Sequence, residues 1–289
     1  MKFLILGGNG YLGSKVTVEL LKTGHEIFCT TRENSDLLRL KGYESQMTFI
    51  PVGADKIEHV LKTGGFDWIL NMACNYGKGT VLYYSVIESN IVFPLAILDL
   101  AVKYGVKNFM TIGTGLPDRL NMYSFSKSIF SDFGKFYVEK QGINFVNMKL
   151  EMFYGADEPK DRFIPDCIMK MLQNKDVDLT PGRQKRDIIA VQDVIGAILC
   201  VIDSGIEGFQ EIYVGTGEAP TIYELLTYIK RKTRSKSNLN FGVIPERIGE
   251  PDCIADITKL AELGYTCRYS WKQGIENMIG EVMENENLN

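Results

Sequence analysis

The sequence predicts an α/β fold, a doubly wound parallel sheet followed by a smaller C-terminal α/β lobe. Short apolar runs alternate with segments of helical periodicity over roughly the first half of the chain. Several of the runs are apolar throughout, as expected of strands that are buried on both faces. This alternation loosens after Gly155, where Pro159 and Pro165 indicate loops. The predicted domains are 1–155 with a returning segment near 186–213, and a lobe made of 156–185 and 214–289.

The elements of the first domain follow from local patterns taken in chain order. Residues 3–6 form the first strand because all of them are apolar. A helix over 11–21 follows, with helical apolar spacing and Gly24 as a C-cap. A long amphipathic stretch over 81–104 predicts a single helix. The remaining predicted strands are 26–30, 47–52, 68–73, 108–112 and 144–150, and the remaining helices are near 37–40, 56–62 and 121–140.

The C-terminal lobe has fewer and weaker signals. Thr221 and Glu224 stand three residues apart and predict a capping box that begins a helix over 221–231. The segment 186–191 is predicted to be a strand that returns to the main sheet, and the polar tail from Glu284 is expected to fray. Two further helices are predicted over 166–173 and 193–202.

Composition excludes several classes of function. The net charge of −4 over 289 residues is too mild for nucleic acid or an anionic membrane to be the main partner. No run reaches about 18 apolar residues, and the N-terminal run is too short for a signal peptide, so we expect a cytoplasmic protein. Two histidines and six scattered cysteines predict no metal site. An anionic substrate would therefore need a local cluster of arginine or lysine.

A glycine-rich turn joins the first strand to the first helix. The segment from Gly7 to Gly13 can be described as GxGxxG or GxxGxxG, and both place glycines between a strand and a helix N-terminus. Glycine lets the backbone approach a pyrophosphate, and the helix N-terminus offers amide N–H groups and a positive dipole end. The turn therefore predicts dinucleotide binding. The expected contacts are Gly7, Asn9, Gly10, Tyr11, Leu12 and Gly13.

The end of the second strand bears on the type of dinucleotide. NAD-binding folds usually carry Asp or Glu there to bind the ribose 2′-hydroxyl. This chain has Thr31 followed by Arg32, and an arginine with hydroxyl neighbours suits a 2′-phosphate. The sequence therefore favours NADP(H), with NAD(H) as the alternative.

A tyrosine and a lysine lie four residues apart near the start of the helix over 121–140. Tyr123 and Lys127 share one face of that helix, which follows the fifth strand at the ligand-binding edge of the sheet. A neighbouring lysine lowers the pKa of a phenol, and such a phenol can pass a proton to or from a substrate oxygen. The lysine can also bind the nicotinamide ribose.

With these features in place, the sequence resembles the extended short-chain dehydrogenase/reductase family, which comprises nucleotide-sugar epimerases, dehydratases and reductases. The resemblance covers nearly the whole chain and rests on the glycine loop, on Tyr123 and Lys127, and on smaller motifs in the same order. Those motifs are Asn71-Met72-Ala73-Cys74, Asn90, Thr114, Phe153-Tyr154-Gly155, Gly182 through Arg186-Asp187 to Asp193, Gly215-Thr216-Gly217, and Arg247-Ile248-Gly249-Glu250-Pro251.

The resemblance implies a Rossmann-type fold and a role for each matching residue. Tyr123 would be the proton donor or acceptor at the sugar C4 oxygen, Lys127 would tune it and hold the cofactor, and Thr114 would hydrogen-bond the same oxygen. Arg186 and Arg247 would hold the substrate diphosphate. A homodimer is implied, in which the helices over 81–104 and 121–140 form a four-helix bundle. The residues expected to line the cofactor groove are Met72, Ala73, Asn90 and Thr111.

Two departures from the family pattern narrow the expected reaction. Only eight residues separate Thr114 from Tyr123, and Gly115-Leu116 stand where dehydratases carry an acidic pair. Elimination of water needs an acid and a base, so dehydration is disfavoured. The short loop and Lys149-Leu150-Glu151 look most like bacterial synthases of the CDP-abequose and CDP-paratose type.

The implied function is an NADPH-dependent reductase of a nucleotide-linked 4-keto-(di)deoxysugar, serving surface polysaccharide synthesis. The sequence leaves two alternatives open. One is a nucleotide-sugar 4-epimerase with a retained NAD, and the other is a non-catalytic NADP-binding regulator.

Overall fold

A computed structural model describes residues 1–77, 79, 82–246, 249 and 251–286. The chain forms two compact units, the first made of Met1–Lys149 and Val201–Ile212, and the second of Leu150–Cys200 and the chain from Tyr213 onward. Residues 186–200, which the sequence placed with the first domain, cluster with the second unit.

The first unit is built on the predicted parallel sheet, which has seven strands in the order β3-β2-β1-β4-β5-β6-β10. The predicted fold class is therefore confirmed. The edge strand β10 was not predicted because its sequence is neither apolar throughout nor alternating, and most of its residues are partly exposed. The strands are β1 Lys2–Leu6, β2 Glu26–Thr31, β3 Thr48–Pro51, β4 Trp68–Asn71, β5 Asn108–Thr114, β6 Asn144–Leu150 and β10 Phe209–Val214.

The stretch predicted as a single helix over 81–104 is interrupted by a π-helical turn over Glu88–Val92. Pro94 has no N–H to donate to the carbonyl of Asn90, and its ring would clash there, so a regular α-helix cannot run through this point. Val81, the first residue of the predicted helix, lies outside the described residues. The helices are α1 Tyr11–Lys22, α2 Ala54–Leu61, α3 Tyr83–Ile87, α4 Phe93–Lys103 and α5 Met122–Gln141, with 3-10 turns at Leu38–Leu40 and Glu44–Gln46.

Aromatic packing fixes α5 against the sheet. Phe109 and Phe145 stack with ring centroids 5.5 Å apart, and Phe130 of α5 packs edge-on against both. A Cβ on Gly134 would lie 2.3 Å from the Phe145 ring, so the absence of a side chain there lets the helix approach closely. This close packing sets the position of the first turns of α5, where the predicted catalytic residues lie.

In the part of the chain that the structure describes, the second unit contains two small parallel sheets and five helices. The segment predicted to return to the main sheet forms β9, which pairs instead with β7, so that part of the prediction was wrong. The reason is that buried Asp187 accepts hydrogen bonds from Thr216, Gly217 and Ala255 within this unit. The elements are β7 Met152–Tyr154, α6 Phe163–Leu172, β8 Val177–Leu179, β9 Ile188–Ala190, α7 Val191–Asp203, α8 Ile222–Lys232, β11 Leu239–Phe241, α9 Thr258–Glu262 and α10 Trp271–Asn285.

The predicted capping box of α8 is confirmed. Thr221 Oγ1 accepts from the amide of Glu224 at 3.1 Å, and Glu224 Oε2 accepts from the amide of Thr221 at 2.8 Å. Each end of the pair thereby satisfies a helix N–H group that would otherwise lack a partner.

Candidate active site

The glycine loop lies at the carboxyl end of β1, between the flanking strands β2 and β4. Gly7 has φ of +76°, and a Cβ there would lie 2.9 Å from the backbone of Ala73. A Cβ on Gly13 would lie 2.3 Å from the carbonyl oxygen of Gly7. The Gly7 amide donates to Thr30 Oγ1 at 3.1 Å, and the Gly10 amide donates to the Gly7 carbonyl at 3.0 Å. Only glycine fits at these crossings, and the turn packs directly against the loop after β4.

The N-terminus of α1 differs from those of α5, α8 and α10. Gly10 occupies its N-cap and makes no side-chain capping bond, and the first turn carries no acidic residue. In contrast, α5, α8 and α10 all begin with capping boxes. A helix of twelve residues whose positive end meets a glycine turn fits the diphosphate of a dinucleotide.

The end of β2 places an arginine beside this loop. Thr30 is buried, Thr31 is half-buried, and Arg32 is exposed at the start of a tight turn. The Arg32 amide donates to Ser35 Oγ at 2.9 Å, so the backbone from which its side chain extends is held. Asn9 of the glycine loop reaches the next part of this segment, since its Nδ2 donates to the carbonyl of residue 36 at 3.4 Å.

Buried amide side chains hold the loop after β4. Asn71 Nδ2 donates to Thr111 Oγ1 at 3.1 Å. Asn90, in the π-helical turn, accepts from the Asn75 amide at 2.7 Å and donates to the Asn75 carbonyl and to Ser126 Oγ at 2.9 Å each. Asn90 therefore ties this loop to α5. The predicted cofactor contacts of Met72, Ala73, Asn90 and Thr111 stay predictions. Met72 and Ala73 directly follow β4, and Thr111 lies in β5, where it is bonded to the last residue of β4.

The predicted catalytic residues lie at the carboxyl end of β5 and in the first two turns of α5. Thr114 ends β5 and its Oγ1 accepts from the Leu116 amide at 3.3 Å. Tyr123 is half-buried in the first turn of α5, and its ring lies 5.0 Å from the ring of Tyr76. Lys127, one turn further on, is only 5% exposed.

Burial gives Lys127 unusual electrostatics. Loss of hydration lowers the pKa of its ammonium group below the ordinary value, and the nearby Cys74 thiol opposes this by raising it. A lysine on an amphipathic helix normally keeps its charged end in water, so a buried one marks a candidate functional position.

The remaining predicted residues belong to the second unit. Arg186 is 5% exposed, and its Nη1 donates to the carbonyls of Lys185 and Pro251 at 2.7 Å each. The second predicted arginine, Arg247, lies outside the described residues. Among the described residues, no group of three or more His, Cys, Asp or Glu side chains is arranged to hold a metal ion.

Sequence reasoning missed several residues of this site. Asn75, Tyr76 and Ser126 contact predicted residues but were not singled out. For Asn75 and Tyr76 a signal was available, because they follow the Asn71-to-Cys74 motif at the edge of the sheet where ligands bind. Ser126 gave no such signal, since its bond to Asn90 joins residues far apart in the sequence.

The sequence is similar to that of known nucleotide-sugar enzymes. The sequence profile described as the NAD dependent epimerase/dehydratase family matches residues 3–215. The chain is 28% identical to the CDP-abequose synthase of Salmonella muenchen, over 96% of this chain and 97% of that protein.

Solved structures agree on the fold. The UDP-glucose 4-epimerase of Thermotoga maritima with UDP-glucose has a TM-score of 0.88 at 20% identity and covers 100% of both chains. The dTDP-glucose 4,6-dehydratase of Bacillus anthracis in complex with NAD has a TM-score of 0.86 at 18% identity, covering 99% of this chain and 98% of that one. The family match spans the glycine loop, the Tyr123–Lys127 pair and Arg186 together, and the chain belongs to the NAD dependent epimerase/dehydratase family.

Proposed function

We propose that the protein is an NADPH-dependent reductase of a nucleotide-linked 4-keto-(di)deoxysugar, acting in the cytoplasm in the synthesis of surface polysaccharide sugars. One observation carries the proposal: Tyr123 stands one helical turn before the buried Lys127, on the helix that follows Thr114. Similarity to CDP-abequose synthase over almost the whole chain supports the choice of substrate class.

In the proposed reaction, residues of the first unit take different roles. When bound, the nicotinamide supplies a hydride to the sugar C4 carbon. Tyr123 donates a proton to the C4 oxygen, and the positive charge of Lys127 lowers the pKa of the Tyr123 phenol. Thr114 Oγ1 already accepts from the Leu116 amide, so its own hydrogen can be donated to the same oxygen.

The cofactor preference follows from the loops at the ends of β1 and β2. Gly7, Gly10 and Gly13 permit the tight turn that leads into α1, where the diphosphate is proposed to bind, and Arg32 with Thr31 suits a 2′-phosphate. A reductase must exchange its cofactor in every turnover, and NADPH is the usual cellular reductant. Arg186 and Arg247 are proposed to bind the substrate diphosphate.

The loop between Thr114 and Tyr123 supports reduction over dehydration. Gly115 and Leu116 offer no acid or base next to Thr114. Asp118, the acidic residue of this loop, has a largely exposed side chain and lies 3.6 Å from the ammonium of Lys149. A dehydratase needs an acid and a base beside the sugar, and the two residues that follow Thr114 supply neither.

The second candidate is a 4-epimerase that retains NAD, favoured by the structural likeness to a UDP-glucose 4-epimerase. Cofactor use separates the two: a protein that holds NAD tightly and interconverts two sugars without consuming NADPH would contradict the reductase. A non-catalytic regulator would have no need for the Tyr123–Lys127 pair. Replacing Tyr123 with Phe tests the catalytic role, and unchanged turnover of a nucleotide sugar would refute it.

We further propose a homodimer through α4 and α5. A groove of about 440 Å³ on this face is lined mainly by apolar side chains, including Leu95, Ile129, Phe133 and Phe136. The helical stretch Tyr83–Lys103 is long and apolar enough to cross a membrane by length and composition, and one third of its most apolar window is buried. A second copy forming a four-helix bundle would cover this surface.

The oligomeric state can be measured by sedimentation. The wild-type protein should sediment as a dimer and Phe136→Asp as a folded monomer. A monomeric wild-type protein, or one that floats with lipid vesicles, would refute the bundle.

A further inference from the structure

Tyr76 has no role in the proposed reaction, yet its ring contacts that of the proposed proton donor. The ring centroids of Tyr76 and Tyr123 lie 5.0 Å apart with the planes inclined by 36°. Tyr76 is 39% exposed, which leaves part of its surface in contact with solvent. An exposed tyrosine that packs on one specific ring restricts the motion of that ring.

The backbone that carries Tyr76 is held on both sides. Before it, the amide and carbonyl of Asn75 are both bonded to the side chain of buried Asn90. After it, the Gly77 amide donates to Asn75 Oδ1 at 2.9 Å, and Gly77 takes a φ of +65° that favours glycine. Tyr76 is therefore presented by a fixed turn.

The same clamp reaches the helix that carries the reacting groups. Asn90 Nδ2 also donates to Ser126 Oγ at 2.9 Å, and Ser126 precedes Lys127 directly. The loop after β4 and the first turns of α5 are thus joined at two places, by the Asn90 bonds and by the Tyr76–Tyr123 ring contact. This arrangement fixes the distance between the Tyr76 ring and the α5 backbone.

We propose that Tyr76 is a positioning residue, which holds the ring of Tyr123 so that its hydroxyl meets the C4 oxygen of the sugar. The inference rests on the proposed function, in which Tyr123 is the proton donor. A tyrosine hydroxyl lies at the end of a long side chain, so a small rotation of the ring moves it considerably. A displacement of about 1 Å at reacting atoms lowers the rate by about a hundredfold.

The test compares Tyr76→Leu with Tyr76→Phe. Loss of the aromatic contact should lower kcat roughly two- to tenfold, with less change in KM for the nucleotide sugar. Tyr76→Phe keeps the ring and should restore the wild-type kcat. The melting temperature of both variants should stay within about 2 °C of wild type because Tyr76 is substantially exposed.

Tyr104→Leu is the matched control, since Tyr104 is a partly buried tyrosine of the same unit whose hydroxyl donates to Glu58 at 2.7 Å. This variant should lower the melting temperature and leave kcat unchanged. If kcat falls equally in the Tyr104 and Tyr76 variants, the effect is one of stability and the positioning role is refuted. The same conclusion follows if Tyr76→Phe is as slow as Tyr76→Leu.

A second measurement needs no substrate. In protein labelled with ring-¹³C tyrosine, the signal of Tyr123, assigned with Tyr123→Phe, should shift in Tyr76→Leu and stay in place in Tyr104→Leu. An unchanged Tyr123 signal in Tyr76→Leu refutes the positioning role alone. If the Tyr123 signal shifts in Tyr76→Leu but the wild-type protein turns over no nucleotide sugar, the proposed function is refuted. The role of the ring contact in catalysis is then refuted with it.

Discussion

Replacing Arg32 with Ala tests the cofactor preference at a single side chain. Arg32 is exposed at the end of β2. The hydrogen bond from its backbone amide to Ser35 Oγ does not involve the side chain, so the substitution retains it. The change should therefore leave the fold intact. If the guanidinium binds a 2′-phosphate, its removal should weaken the binding of NADPH but not that of NADH, which has no such phosphate.

The size of the effect follows from the exposure of Arg32. Hydrogen bonds to charged groups contribute about 1.5–3 kcal/mol, and exposed ion pairs about 0.2–1 kcal/mol. A doubly charged phosphate at an exposed arginine lies between these ranges, at about 1–2 kcal/mol, which corresponds to a roughly 5- to 30-fold weaker Kd for NADPH. The Kd for NADH should change by less than about twofold.

The assay is a fluorescence titration of both cofactors at two salt concentrations. Arg39→Ala is the control, because Arg39 is another exposed arginine of the same segment, on the Leu38–Leu40 turn. It should leave both Kd values unchanged. The loss for Arg32→Ala should shrink at high salt because exposed charges are screened. Equal losses for NADPH and NADH, or none for either, would refute the assignment of NADP.

Two further predictions concern stability. Lys127→Met should abolish turnover and raise the free energy of unfolding at pH 7 by about 1–3 kcal/mol, because a buried ammonium is removed. Burial lowers the pKa of Lys127 in the folded state, so between that pKa and 10.5 the unfolded wild type binds more protons than the folded protein. The free energy of unfolding of the wild type therefore rises with pH across this window. The stability difference between Lys127→Met and wild type, measured by urea titration, should shrink over the same window. Gly134→Ala should lose about 1–3 kcal/mol by clashing with Phe145, whereas Gly280→Ala, with open space around the added Cβ, should gain about 0.5–1 kcal/mol. Equal urea midpoints for the two alanine variants would contradict the packing argument, and a less stable Lys127→Met would contradict the electrostatic one.

The sequence predicted those parts of the site that depend on residues close together in the chain. Three local patterns were recognised in this way. They are the glycine turn, Thr31 with Arg32, and the Tyr123–Lys127 pair. The parallel sheet was also predictable, because strands buried on both faces are apolar throughout. The half-exposed edge strand β10 lacks that pattern and was missed.

Other features depend on contacts between distant residues. The ring contact of Tyr76 with Tyr123 joins the loop after β4 to the first turn of α5, which only the folded sheet brings together. The burial of Lys127 could not be predicted either, since a lysine on an amphipathic helix is normally exposed. The hydrogen bonds of Asp187 that keep β9 in the second unit likewise arise from three separate chain segments. In each case the local sequence is compatible with several tertiary environments, and the one observed is determined by packing between segments that are distant in the chain.

The proposed reaction is net reduction at the sugar C4 carbon. It is tested most directly by incubating the protein with a CDP-linked 4-keto-dideoxyhexose and NADPH deuterated at nicotinamide C4, followed by NMR of the product. We expect one NADPH oxidised per sugar and deuterium on C4 of the product, with both lost in Tyr123→Phe. Interconversion of two C4 epimers by protein that retains NAD, without NADPH consumption or deuterium at C4, would contradict the reductase assignment.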